Sequence, residues 1–137
     1  MNDLKWGQLR HDRFAFDFAN ADEQLAFARQ NGKATRGHAL VWALHMPEWT
    51  KTIATRKEAE RELINHINTV MLRYRGKIAS WDVVNEAVAE FPTQAEQWRP
   101  SIWTERLGID HVEMAFRAAA AIDPAANRLT LDGGDTL

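Results

Sequence analysis

The run Trp81-Asp82-Val83-Val84-Asn85-Glu86-Ala87 constrains the fold more than any other stretch of the chain. It opens as a short apolar strand and closes on an amide beside a carboxylate. Side chains alternate along a strand, so Asp82, Val84 and Glu86 share one face and Trp81, Val83 and Asn85 the other. Apolar residues on both faces predict a strand buried on both sides, as in a parallel sheet covered by helices. Polar groups crowded at the carboxyl end of such a strand are where α/β barrels hold their chemistry. Taken by itself, the run fits equally a strand that ends in solvent with a polar tail.

The flanking sequence supplies alternating elements. Met1 to Phe18 reads as a loop, and a helix is expected from Ala19 to Gln30, with Gly32 as its stop. Lys33 to Trp42 turns strand-like, and Pro47-Glu48-Trp49 reads as a turn. Thr55 and Glu58 form a capping-box pattern at the head of a second helix. Leu63, Ile64, Ile67, Val70, Met71 and Tyr74 follow at helical spacing, ending at Gly76. Arg61, Glu62 and Arg73 fall on the opposite face and read as solvated surface. After the central strand, Ala87 to Ser101 reads as a loop, followed by a helix from Asp110 to a stop at Asp123-Pro124. Arg128 to Leu131 is a last short strand, with a turn at Asp132-Gly133-Gly134. The order loop, α, β, α, β, α, β argues for parallel βα units with right-handed crossovers.

At 137 residues and 45% hydrophobic content, the chain is one domain's worth of soluble globular protein. An eight-fold βα barrel needs about 250 residues, so three strands and three helices make a small open sheet or a piece of something larger. A net charge of −2 without a basic cluster argues against nucleic acid as a partner. No apolar run is long enough to span a membrane, and the first residues lack a secretory-signal pattern. The absence of cysteine excludes disulfides and thiolate metal sites. None of the five histidines shows a metal-ligand spacing, and no glycine-rich phosphate cradle precedes a helix, so neither metal nor cofactor is expected.

The runs Asn2-Asp3-Leu4-Lys5-Trp6, Gly37-His38-Ala39-Leu40-Val41-Trp42, Pro47-Glu48-Trp49 and Trp81 to Ala87 resemble, in order, successive motifs of glycoside hydrolase family 10, the endo-β-1,4-xylanases. Ala115-Phe116-Arg117-Ala118 and Asp123-Pro124 resemble the helix that follows that family's acid/base strand. The resemblance implies an α/β fold, a partial (β/α)8 TIM barrel with roughly strands three to five and their helices. The whole chain would then be one incomplete catalytic domain. Glu86 falls on the acid/base position, and Asn85 on a residue that hydrogen-bonds the sugar 2-hydroxyl. His38, Lys5 and Asn2 match sugar contacts, and Trp42 an aromatic wall of the same pocket. The implied substrate is xylan, met outside the cell or in the periplasm.

Read without the resemblance, His38 fits a hydrogen-bonded histidine at a strand start, Asn2 and Lys5 are loop residues, and Trp42 and Trp81 are core. Asp82 is either a buried orienting carboxylate or a strand-edge surface residue. The chain departs from the family where histidine gives way to Ala43, glutamine to His45, and Asn-Asp-Tyr to Asp132-Gly133-Gly134. Met1 stands where the family has glutamate. A retaining glycosidase needs two carboxyl groups about 5–5.5 Å apart, and the family's nucleophile strand is expected beyond Leu137. Two functions follow. One is the acid/base part of a xylan-cleaving enzyme, inactive by itself. The alternative is a non-catalytic half-barrel that binds polysaccharide or self-associates through open sheet edges.

Overall fold

The computed structural model describes residues 1–93, 95 and 97–124, together with the backbone of 128–132. Three strands, β1 (Arg36–Trp42), β2 (Ser80–Asn85) and β3 (Arg128–Asp132), form one parallel sheet in the order β1-β2-β3. Helix α2 (Ala19–Gln30) precedes β1, α3 (Arg56–Tyr74) joins β1 to β2, and α5 (Asp110–Ile122) joins β2 to β3. The expected alternation and all three long helices are present. The turn expected at Gly133 and Gly134 lies outside the described residues.

The capping pattern read at Thr55 forms as expected at one end. Its hydroxyl accepts the Glu58 backbone N–H at 3.2 Å, satisfying one orphan donor of the first turn. The Glu58 carboxylate reaches back one residue further than the standard box, accepting from the Ala54 N–H at 3.0 Å. At the far end, Asp123 accepts the Gly76 N–H at 3.1 Å and so ties the stop of α5 to that of α3.

Three short helical turns add to the expected elements, the first within the stretch read as loop and the second overlapping the turn read at Pro47-Glu48-Trp49. They are α1 (Trp6–Leu9), a 3₁₀ turn at Glu48–Thr52, and α4 (Ile102–Leu107), which Ser101 caps by accepting the Thr104 N–H at 3.1 Å. Each is too short to show a hydrophobic period. Burial in the core fixes them instead: Trp6, Leu9, Trp103 and Leu107 are all buried.

The N-terminal segment is an integral layer, and this corrects the reading of α3. Glu62 is buried, not solvated, because Arg10 and Arg13 fold over it. Arg10 bonds its carboxylate at 2.7 Å and Arg13 at 3.0 Å, while Arg13 also reaches Glu58 at 2.6 Å. Burial acts to raise the Glu62 pKa, but the two guanidinium groups outweigh it and hold the carboxyl below its ordinary value. Arg10 lies 4.6 Å from the Trp49 ring and 4.9 Å from that of Phe16, so aromatic faces cover its planar cation. Arg73 is likewise engaged, pairing with Asp22 and lying 4.5 Å from the Phe18 ring.

His66, on the same helix, is fully buried and stacks on Trp6 with ring centroids 3.9 Å apart. Neither ring nitrogen has a hydrogen-bond partner among the described residues. Burial, with the Arg10 charge second, drives its pKa well below the ordinary 6.5. The folded state therefore holds neutral imidazole while the unfolded chain takes up a proton below about pH 6.5. Folding stability should fall as pH drops from 7 to 5, by up to about 1.4 kcal/mol per unit. His111, whose pKa burial also lowers, adds in the same direction. Thermal unfolding of His66→Leu across this range should show a clearly shallower acid slope, whatever the variant does at pH 8.

Candidate active site

The parallel register of β1 on β2 sets His38 opposite Asp82 and Trp42 opposite Asn85, so both strands end at one rim. At that rim the Trp42 indole Nε1–H donates to Glu86 Oε2 at 2.8 Å. Strand β2 stops at Asn85, and Glu86 does not continue the alternation. Its φ of 51° lies in the left-handed region, which costs a non-glycine residue about 1–3 kcal/mol unless its surroundings fix it. Arg99 supplies that fixing. Its Nε donates to the Glu86 carbonyl at 3.2 Å, its backbone N–H to the Ala87 carbonyl at 2.8 Å, and its Nη2 stands 3.4 Å from Glu86 Oε2.

The segment expected as loop between Ala87 and Ser101 is accordingly tied back on itself. Val88 and Trp98 form an antiparallel bridge, and Ala89 donates to the Gln97 carbonyl at 2.9 Å. This delivers Arg99 to the acid that precedes the loop. Sequence reading missed Arg99, because a single arginine in a polar loop carries no periodic signal.

Lys5 reaches the same rim from the N-terminal segment, its ammonium 5.1 Å from the centre of the Trp42 ring. The His38 and His45 rings flank Trp42 at 5.8 and 5.0 Å between centroids. Lys5, His38, Trp42, Asn85 and Glu86 are thus gathered together. Asn2 stands apart: it is exposed, and its neighbour Met1 docks on β1, donating to the Arg36 carbonyl at 2.7 Å and accepting from His38 N at 3.2 Å.

Asp82 lies below the rim and is buried. Arg36 Nε donates to its two oxygens at 2.9 and 2.8 Å, and His38 Nδ1 is 2.9 Å from Oδ2. Of the two readings left open for Asp82, the buried carboxylate is the observed one. A larger concavity of about 730 Å³ along the first turns of α3 is lined by Thr55, Lys57, Glu60 and other helix-surface residues. The chemistry collects at the strand ends instead.

The model of glycosyl hydrolase family 10 matches residues 1–132. Endo-1,4-beta-xylanase 3 of Hypocrea jecorina is 39% identical over 125 residues, covering 91% of this chain and 35% of that protein. Endo-1,4-beta-xylanase A of Thermotoga neapolitana is 38% identical over 123 residues, 86% of this chain and 12% of that protein. Native xylanase 10B from Thermotoga maritima superposes with a TM-score of 0.87 at 35% identity, over 96% of this chain and 40% of that one. Xylanase 10B from Thermotoga petrophila, in complex with xylobiose, gives 0.86 at 34% identity, over 93% and 38%. The chain spans well under half the length of each. Its three strands and their helices form part of a (β/α)8 barrel.

Gly7 connects the N-terminal segment to the rim by donating to the His45 carbonyl at 2.8 Å. A Cβ at this position would lie 2.5 Å from that same oxygen. Gly7→Ala should therefore push the segment carrying Lys5 away from Trp42 and cost about 1–3 kcal/mol, read from the denaturant midpoint.

Proposed function

Because the chain belongs to glycosyl hydrolase family 10, we propose that it is the acid/base-bearing part of a retaining endo-β-1,4-xylanase barrel. The observation that carries this reading is the Glu86 carboxyl, held at the carboxyl ends of parallel strands by the Trp42 indole. An indole N–H can only donate, so Oε2 is committed as an acceptor and the labile proton belongs on Oε1. In the first step that proton passes to the glycosidic oxygen as the C1–O bond breaks and a second carboxylate bonds to C1. In the second step Glu86, now ionised, takes a proton from water. The water oxygen bonds to C1 and releases that carboxylate.

The second carboxylate is proposed to come from a strand beyond residues 1–137. Asp82, the buried acid of β2 below the rim, is already engaged by Arg36 and His38. Asn85 is assigned the 2-hydroxyl of the sugar at the cleavage point, His38 another polar contact to it, Asn2 and Lys5 hydroxyls there and one unit away, and Trp42 the wall against which the ring lies. Support comes from relatives named endo-1,4-beta-xylanases and from a solved xylanase holding xylobiose. A polymeric substrate places the enzyme outside the cell or in the periplasm.

Residues 1–137 by themselves should release no reducing sugar from xylan. In the complete barrel, Glu86→Gln should lower xylan turnover by about 10²–10⁴-fold, the span of general acid catalysis. Aryl xylosides whose leaving group needs no proton should keep their first step. Equal loss on both substrates would remove Glu86 from the acid role, and an unchanged rate would sink the reading.

A further inference from the structure

Arg36, His38 and Asp82 form an arrangement that the acid/base chemistry does not use. His38 and Asp82 are register partners on β1 and β2, and the Asp82 side chain is only 1% exposed. A buried carboxylate costs several kcal/mol unless its charge is matched. Here the match is directional: Arg36 chelates both oxygens through Nε, and its Nη2 lies 2.7 Å from Oδ1. Facing a permanent cation, the carboxylate is ionised and can only accept. The proton in the 2.9 Å contact with His38 therefore sits on Nδ1, and in neutral imidazole the lone pair is left on Nε2.

Nε2 is the ring nitrogen turned away from Asp82, and the ring it belongs to lies beside Trp42. With Glu86 assigned to the glycosidic oxygen and Asn85 to the 2-hydroxyl, the remaining cations and the indole there are donors: the Lys5 ammonium, the Arg99 guanidinium, and the Trp42 N–H already given to Glu86. A sugar hydroxyl both donates and accepts, so a donor-rich pocket orients it only if an acceptor is also present. We propose that Asp82 is a positioning residue. It fixes the Nδ1–H tautomer of His38 and presents Nε2 as the acceptor for a hydroxyl of the bound sugar, with Arg36 holding Asp82 in place. The ligand in this proposal rests on the xylanase reading above; the tautomer does not.

The test uses the complete barrel labelled with ¹⁵N-histidine, without ligand, at neutral pH. Long-range ¹H–¹⁵N spectra should show His38 with protonated Nδ1 and unprotonated Nε2. Asp82→Ala, in an Arg36→Met background so that no cation is stranded, should shift at least half of His38 to the Nε2–H form. Arg36→Met with Asp82 intact should keep Nδ1–H. In xylan hydrolysis, Asp82→Ala should lower kcat/KM about 10-fold, the worth of one well-placed hydrogen bond. It should add nothing further in a His38→Phe background. A wild-type Nε2–H tautomer, an unmoved tautomer in the Asp82 variant, or full additivity with His38→Phe would each overturn the proposal. If the Asp82 variant does not fold, the wild-type spectrum decides the tautomer by itself. The expected tautomers in a protein inactive on every xylan would overturn the sugar ligand and the xylanase reading, and leave the positioning of His38 standing.

Discussion

The register between β1 and β2 is the constraint on which the rest of this structure depends. It pairs Gly37 with Trp81, and a Cβ at Gly37 would lie 2.5 Å from the Trp81 ring. Only a residue without a side chain lets that indole, fully buried in the core, lie against the neighbouring strand. With Gly37 fixed opposite Trp81, His38 faces Asp82, and a one-residue irregularity between His38 and Val41 then brings Trp42 level with Asn85. A slip of one residue would turn every side chain of β1 to the other face and separate the groups at the rim. The packing of one glycine against one tryptophan thus sets the His38–Asp82 pair, and the irregularity that follows sets the level of Trp42 at the rim.

Much of the scaffold was legible because long amphipathic helices advertise themselves. The bounds of α2 follow from its stop signal, and α3 begins at the Thr55 cap read from the sequence. What stayed hidden was the role of the first eighteen residues. Their main attachments, Arg10 and Arg13 to Glu62, span 52 and 49 positions, and no local pattern encodes a contact of that range. Glu62 looked like surface because its helix was read in isolation, without the segment that covers it. In the site, the run ending in Glu86 was legible as a motif. The left-handed turn at Glu86 was not, since alternation predicts a strand that continues.

That turn explains why a loop residue shapes the rim. A glutamate forced to positive φ would relax if its carbonyl were free, carrying the carboxylate away from Trp42. Arg99 grips the carbonyl and stands beside the carboxylate, so one side chain restrains both ends of the same residue. The ends of the segment from Ala87 to Arg99 close through the Val88–Trp98 bridge. Backbone pairing sets the position of Arg99, and Arg99 sets the conformation of Glu86.

Lys5 poses the complementary problem, because it arrives from a segment outside the sheet. Anchors of two kinds hold that segment, among them the Met1 backbone on β1, the Gly7 N–H on the His45 carbonyl, and the Arg10–Glu62 ion pair on α3. The first two are main-chain bonds to the strand that carries Trp42 and the turn that follows it. Motion of β1 therefore carries Lys5 and Trp42 together, which keeps the ammonium near the ring. The ion pair does something else. It binds the same segment to the helix layer, so its loss would loosen the N-terminal layer as a whole while leaving the short-range bonds to β1 intact. A polar site needs tolerances near 0.5 Å, and this division supplies them: side-chain charge fixes the layer, and backbone hydrogen bonds fix the residue.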